Sequence, residues 1–351
     1  MSQQIENINE RLENRQERIH INLGPVCNNN CIFCMEEDRD LRYVVNSSLT
    51  PERVHKILQA NAGAEEVCFT SGEPTLVEEL PVYVAWAKEL GYKKRSVMTN
   101  GRRLSYMSYC AKLVKAGMNF FYVSIHGHTD KLHNALVRTK GAFDQTVAGL
   151  DNITRLQKFG VSLHTSTVIT KRNVDKLGEI YTFLRAHGVQ QVVLNVMQAN
   201  GRANTYFDQL FPTYTKIVAE TQRFLDECNE TQPQAFLVDI PLCTTETLPD
   251  FNRGYVEKYV HYEVANLDGG SLDSGDKVSA MARRSEDGEF LEVTRGDLDE
   301  VEREKRAECA TCKHNPSCEG VWKNYLQRYG WDEFIPVTDA PQSTGTTRAT
   351  L

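Results

Sequence analysis

Five glycines set the rhythm of this chain. Gly63, Gly91, Gly117, Gly160 and Gly188 each close a stretch with helical apolar spacing and stand just before a β-rich run. A glycine just past a helix end takes the left-handed conformation without the Cβ penalty that other residues meet. The helix starts fit the same units: Thr50-Pro51 supplies an N-cap with proline at the first helical position, and Ser105 and Asn173 stand where caps belong. Strands are expected over residues 18–23, 66–70, 96–99, 120–125, 161–169 and 192–197. Six strands joined by helical crossovers are parallel neighbours, and right-handed crossovers curl such a sheet toward a barrel. The expected fold class is α/β, a partial (β/α)6 TIM-like barrel; an open doubly wound sheet fits the same pattern, because strand order is not written in the sequence. In both, active residues stand at the C-terminal ends of the strands.

The first strand runs directly into Cys27-Asn28-Asn29-Asn30-Cys31-Ile32-Phe33-Cys34. Three thiols this close together can bind one metal centre. Structural zinc takes four protein ligands and a cubane iron–sulfur cluster has four iron corners, so one position stays open for a distant residue or a small molecule. Seven of the ten cysteines fall into patterns, and Cys68, Cys110 and Cys228 do not. In a cytoplasmic chain this reads as metal ligands plus a few core thiols, not a disulfide framework.

Composition narrows the partners. A formal net charge of −7 argues against a nucleic-acid groove, and Lys93-Lys94-Arg95 and Lys171-Arg172 read as solvated surface. The N-terminus lacks the basic and apolar regions of a signal peptide, and no apolar run approaches the ~20 residues that span a bilayer, so a cytoplasmic protein with no membrane contact is expected. Residues 1–17, with Ile5, Ile8 and Leu12 at helical spacing, read as an N-terminal helix or extension; 18–232 as the barrel; 233–339 as a small C-terminal domain; and 340–351 as a flexible tail. Residues 250–305 are polar and Gly/Asp/Glu-rich, which suits loops or a small hairpin.

The CxxxCxxC spacing resembles the signature of the radical SAM superfamily. There the open iron of a [4Fe–4S] cluster takes the amino and carboxylate groups of S-adenosylmethionine (SAM), which implies Cys27, Cys31 and Cys34 as cluster ligands and Phe33 beside the adenine. Ser71-Gly72-Glu73-Pro74 resembles the family's GGEP segment, whose backbone and glutamate hold the SAM amino group, with Ser71 in place of the first glycine. Asn100 lies in a Thr-Asn-Gly turn similar to the family's, and Ser124 matches a serine that reaches the SAM ribose or carboxylate. Strand alternation puts His126 on the same face as Ser124. It stands where relatives often carry aspartate and reads as a hydrogen-bonding structural residue or as a substrate or proton-transfer group. Arg138 resembles an arginine that pairs with the SAM carboxylate, one position later than in many relatives. Asn200-Gly201-Arg202-Ala203 resembles a turn beside the adenosine, so the likeness runs in matching order over about residues 18 to 205.

Cys309, Cys312 and Cys318, followed by Glu319-Gly320, resemble the auxiliary-cluster motif of SPASM and twitch domains. Trp322 stands where a full SPASM domain has another cysteine, and a further downstream cysteine is absent. The resemblance therefore implies one auxiliary [4Fe–4S] cluster, with Cys243 as its fourth ligand; structural zinc on the same four thiolates is the other reading. The function implied is a radical SAM oxidoreductase that abstracts a substrate hydrogen and oxidises the substrate radical through the auxiliary cluster. A peptide or protein side chain is the expected substrate, a sugar, nucleoside or other small metabolite the alternative, and an external one-electron reductant such as flavodoxin or ferredoxin the expected partner. The chain shows no N-terminal extension large enough for a leader-peptide-binding domain. A zinc-stabilised, non-catalytic binding module is the reading outside enzymes.

Overall fold

The computed structural model describes residues 17–24, 26–35, 50–230, 233–248, 262–263, 281–284, 290–293, 302–316 and 318–338. The expected N-terminal helix and the tail lie outside the described residues. Seven strands pair side by side in chain order, all parallel: β1 (Glu17–Asn22), β2 (Glu66–Thr70), β3 (Lys94–Thr99), β4 (Phe120–Ser124), β5 (Ser162–Ile169), β6 (Gln191–Val196) and β7 (Ala235–Val238). A two-residue β8 (Tyr262–Glu263) adds to the outer edge of β1. Strand order that advances in one direction is that of a barrel and not of a doubly wound sheet, and among the described residues β7 and β8 do not pair, so the barrel stays open. β7 is one strand more than the glycine rhythm predicts. The helix before it ends at Glu227 on Cys228, without a glycine stop. It lies inside 233–339, so the stretch read as the small domain also supplies a strand of the barrel sheet.

The crossovers carry α1 (Pro51–Ala60), α2 (Leu80–Glu89), α3 (Met107–Ala116), α4 (Asp130–Val137), α5 (Ala142–Leu156) and α6 (Leu177–Ala186). Short α7 (Gly201–Thr205) and α8 (Phe207–Leu210) lead into α9 (Tyr214–Glu227). Thr50 caps α1 as expected, its hydroxyl accepting from Arg53 N at 3.3 Å. Gly91, Gly117, Gly160 and Gly188 all sit at positive φ, but Gly63 does not. There α1 is closed by Asn61, whose Nδ2 donates back to Ile57 O at 2.9 Å, so the later glycine has no left-handed work to do. Ser105 belongs to a short 3-10 turn before α3, and Asn173 to one before α6. Asn173 stands at the N-cap of its turn but makes no side-chain cap bond, its Nδ2 donating to His126 O and Val168 O, and the Ser105 carbonyl accepts from Asn152 of α5. No helix among the described residues is long and apolar enough to cross a membrane.

β4 shows how the strands divide core from lumen. Phe121 and Val123 are fully buried under the helices, whereas Phe120, Tyr122 and Ser124 point the other way and are partly exposed. Near the N-terminal strand ends Glu66 meets Arg18 and Lys94, each at 3.0 Å, and Ser96 Oγ at 2.5 Å. Burial alone would push the Glu66 carboxyl up; the two cations and Ser96 outweigh it and hold it low. This network fills the floor of the barrel, away from the strand ends that carry the cysteine loop.

After the barrel, β9 (Met281–Arg284) and β10 (Phe290–Val293) form the antiparallel hairpin expected within 250–305, and β11 (Arg303–Glu304) pairs with β12 (Val321–Trp322) ahead of α10 (Lys323–Tyr329). An aromatic cluster of Phe207, Phe211, Tyr214, Tyr325 and Phe334 joins α10 to the barrel, with Tyr214 and Tyr325 rings 4.7 Å apart. Cys68 and Cys110 are fully buried core thiols, as the cysteine count suggested.

One helix is fitted to a strand-end loop with no room to spare. α5 donates from Thr146 Oγ1 to Asn100 O and from Asn152 Nδ2 to Leu104 O and Ser105 O, each at 2.9 Å. A Cβ on Gly149 would stand 2.5 Å from Gly101 O and 3.0 Å from the Leu104 side chain. Alanine in mid-helix gains about 1 kcal/mol over glycine, but forcing a methyl into close packing costs about 1–3 kcal/mol. Gly149→Ala is therefore expected to lower the thermal midpoint, as read by circular dichroism, despite its better helix propensity.

Candidate active site

The cysteine loop leaves β1 without regular structure, so its backbone groups must find partners elsewhere. Asn30 N and Ile32 N donate to Val137 O and Leu136 O, both at 3.0 Å, which seats the loop on the end of α4. Two arginines grip it from either side. Arg102, just after β3, donates through Nη1 to Asn28 O and to Asn29 Oδ1, and its Nε is fixed by Gln145 at 2.7 Å. Arg202, after β6, donates through Nη1 to Asn30 Oδ1 at 2.5 Å, Cys31 O at 3.1 Å and Asn30 O at 3.3 Å, and its own N–H reaches Cys34 O at 2.9 Å. A Cβ on Gly201 would collide with Met35 O, so only glycine lets α7 approach the loop this closely.

Within the loop Cys27 Sγ accepts from Asn29 N at 3.4 Å and Asn100 Nδ2 at 3.9 Å. Burial, and then the charges of Cys34 and Cys27, push the Cys31 thiol up to about 12, so the three sulfurs feel one another. Among the described residues no three His, Cys, Asp or Glu side chains are arranged to hold a single metal ion.

The Ser71-Gly72-Glu73-Pro74 turn packs against the loop, with Glu73 N donating to Val26 O at 2.8 Å. Ser71 and Gly72 both have positive φ, 69° and 56°, so the serine occupies a conformation that favours glycine. Pro74 opens a short 3-10 turn that Glu73 caps. The Glu73 carboxylate is 2% exposed, and burial pushes its pKa up. Oε1 accepts from Thr75 N at 3.2 Å and from the Thr75 and Thr99 hydroxyls, each at 2.5 Å; Oε2 accepts from Asn100 N at 2.7 Å. Oε2 thus keeps a lone pair. Asn100 joins this turn to the loop through Nδ2 to Asn28 Oδ1 at 2.6 Å.

The remaining expected residues divide. Phe33 is 8% exposed and meets the His126 ring edge-on, centroids 4.7 Å apart. Ser124 closes β4 on the lumen face, paired with Ser166 of β5. Arg138 is exposed at the C-cap of α4 with φ 49°, beside the carbonyl of Val137 that holds Asn30, and its side chain has no protein partner among the described residues. His126 and His133 stack at 5.8 Å and are both buried.

The second cysteine group comes together as well. Cys243, Cys309, Cys312 and Cys318 line one cavity, walled also by Pro241, Val321 and Phe334. Burial, and then the charges of Cys318, Cys312 and Cys309, push the Cys243 thiol up to about 12. Cys312 Sγ accepts from Val337 N at 3.3 Å and Cys318 Sγ from Gly320 N at 3.4 Å. Glu246 fastens the distant segments by binding Lys313 Nζ at 2.8 Å and His314 Nε2 at 2.5 Å. Trp322 is buried, with the Arg303 guanidinium 4.2 Å over its ring, and Arg303 also meets Glu319 at 3.0 Å and Asp239 at 3.8 Å. The tryptophan thus takes a packing role where a further ligand would stand. Nothing in the sequence marks Arg102, Glu246 and Arg303 as site residues, and Arg202 is marked only as part of the Asn200–Ala203 turn, not as a clamp on the cysteine loop.

Comparison with known proteins adds findings of three kinds. Residues 21–184 match the family profile described as Radical SAM superfamily. A probable GTP 3′,8-cyclase of Sulfurisphaera tokodaii is 29% identical over 195 residues, covering 55% of this chain and 59% of its own length. An Fe-coproporphyrin III synthase of Methanosarcina barkeri is 26% identical over 185 residues, covering 52% of this chain and 44% of its own. The chain thus spans about half the length of the curated relatives it matches. Among solved structures, Streptococcus suis SuiB bound to precursor peptide SuiA superposes with TM-score 0.61 at 15% identity over 93% of this chain and 80% of that one. Native anSMEcpe with bound AdoMet gives 0.55 at 14% over 88% and 89%. At such identities the likeness is one of fold.

The histidine pair gives this site a pH signature. Burial lowers the His133 pKa from 6.5 to about 4. Between those values the unfolded chain binds the proton and the fold does not. The stabilisation is therefore complete above about pH 6.5 and is lost as pH falls toward 4, by roughly 3 kcal/mol. Melting curves from pH 7 to pH 4.5 should show this loss, and His133→Gln should reduce it to the share that the second buried imidazole, His126, contributes.

Proposed function

We propose, from the premise that this chain carries a radical SAM domain over residues 21–184, that it is an oxidoreductase using SAM to abstract a hydrogen atom from a peptide or protein side chain. The observation that carries the reading is the convergence of Cys27, Cys31 and Cys34 with the Glu73 and Asn100 turns at one end of the barrel. When bound, the [4Fe–4S] cluster and SAM supply a 5′-deoxyadenosyl radical, formed as one electron from a carrier such as flavodoxin or ferredoxin divides SAM into methionine and the radical. The three thiolates would hold the cluster and leave one iron open. Oε2 of Glu73 retains an acceptor position suited to the SAM ammonium through a charge-assisted bond. Arg138, exposed and partnerless among the described residues, suits the SAM carboxylate; Phe33 would lie beside the adenine and Ser124 would reach the ribose or carboxylate.

Cys243, Cys309, Cys312 and Cys318 would fill all four corners of a second cluster. A centre without an open iron suits electron transfer, here the one electron a substrate radical releases as it loses a proton. The peptide reading is supported by the breadth of the fold shared with SuiB, solved with its precursor peptide. A small-molecule substrate is favoured instead by the names of the sequence relatives, whose match covers only about half of this chain.

The two sites separate experimentally. Anaerobically reconstituted protein is expected to carry roughly eight irons per chain if both centres are cubanes. The Cys309/Cys312/Cys318 triple alanine variant should keep roughly four, retain 5′-deoxyadenosine formation and lose oxidised product, with circular dichroism confirming that the C-terminal unit survives. One zinc at these thiols, with normal turnover, would make the site a structural staple.

A further inference from the structure

His126 is held by every polar atom it has except one. Its backbone N–H donates to His133 Nδ1 at 3.1 Å, and its carbonyl accepts from Asn173 Nδ2 at 3.0 Å. Its ring Nδ1 accepts from Val168 N on β5 at 3.1 Å. A ring nitrogen that accepts a backbone N–H carries no proton, so the neutral ring must bear its hydrogen on Nε2. Burial and the neighbouring His133 hold the His126 pKa well below its ordinary value, in keeping with that neutral form. The tautomer is thus fixed by the fold.

Nε2 lies on the side of the ring away from Nδ1 and hence away from β5. Among the described residues it has no hydrogen-bond partner, although the residue is only 3% exposed. It is not one of the sealed, partnerless atoms; the His133 Nε2 is. The His133 ring therefore sits in the core as a support, while His126 keeps one donor open to a small accessible space. The ring itself meets Phe33, one residue before Cys34, with the two centroids 4.7 Å apart at 76°. A buried donor without a partner is costly, and here a fold that satisfies the three other polar groups of the same residue leaves it unpaired.

We propose that the Nε2–H of His126 is a fixed hydrogen-bond donor to an acceptor atom of SAM, which makes His126 a cofactor-binding residue and not a proton-transfer group. The inference rests on the radical SAM reading, because SAM is the molecule expected beside this loop. A group locked as donor recognises an oxygen or unprotonated nitrogen and rejects a cationic or donor group at that position. Asn173 gains a positioning role, since it ties the His126 carbonyl to Val168 O, which Nδ2 also reaches at 2.9 Å.

The test compares His126→Gln, which can accept from Val168 N through Oε1 and donate through Nε2, with His126→Phe, which keeps a ring and no donor. SAM affinity is measured by equilibrium dialysis on the cluster-loaded protein, with iron per chain determined in parallel and the ring tautomer read from ¹⁵N NMR of the wild type. The glutamine variant should stay within about threefold of wild type, whereas phenylalanine should weaken SAM binding by tenfold or more, about 1.4 kcal/mol, at unchanged iron. The NMR should report hydrogen on Nε2 alone. Phenylalanine that binds SAM like wild type, equal loss in both variants, loss of iron in either, or hydrogen on Nδ1 would overturn the proposal. Wild-type protein that takes up iron but never binds SAM would overturn the family reading and the proposal with it.

Discussion

The structure depends on the grip that two arginines and one helix end exert on a loop that has no regular structure of its own. Residues 26–35 make neither helix nor strand, so each buried peptide group there needs a partner from another part of the chain. Arg102 and Arg202 supply those of the Asn28, Asn30, Cys31 and Cys34 carbonyls. A guanidinium presents five donors in a rigid fork, which allows one side chain to hold several carbonyls at once. Both arginines stand in the same tripeptide, Asn-Gly-Arg, at positions 100–102 and 200–202, after β3 and β6. Both central glycines have positive φ, 76° and 53°, the turn that brings each arginine to the loop. α4 completes the seat by lending Leu136 O and Val137 O.

Around that seat the polar chemistry is arranged in layers. Near the N-terminal strand ends, a charged network of Glu66, Arg18 and Lys94 closes the barrel floor. At the opposite end Arg102 and Arg202 bind the cysteine loop, Glu73 is tied to Thr75 and to the Thr99-Asn100 turn, and burial lowers the pKa values of His126 and His133. The C-terminal unit is joined through β7, whose sequel carries Asp239 and then Cys243, and through Arg303, which bridges Asp239 to Glu319 under Trp322. A barrel strand and the second set of thiols are thus parts of one continuous segment.

Much of this was legible in the residues, for identifiable reasons. Cysteine spacing is a local signal, and so are the left-handed glycines, four of which hold. Gly63 misled because Asn61 closes the helix with its own amide, and Ser105 misled because it ends a 3-10 turn and the helix starts only at Met107, behind Tyr106. β7 was hidden by its shortness and by the absence of a glycine stop before it. Ser71 keeps the left-handed turn of a glycine position, which a residue-type pattern alone cannot guarantee. The arginine clamps and the Glu246 fastening of Cys243 to the Cys309–Cys318 segment join residues far apart in sequence, where no periodicity reports them. The repeated Asn-Gly-Arg was the one available hint.

The central claim is that the gripped loop holds a redox cluster that cleaves SAM. The most direct measurement is 5′-deoxyadenosine by mass spectrometry after anaerobic reconstitution and one-electron reduction, comparing the wild type with the Cys27/Cys31/Cys34 triple alanine variant. The account predicts 5′-deoxyadenosine and methionine in equal amounts from the wild type and none from the variant; equal formation by both proteins would contradict it.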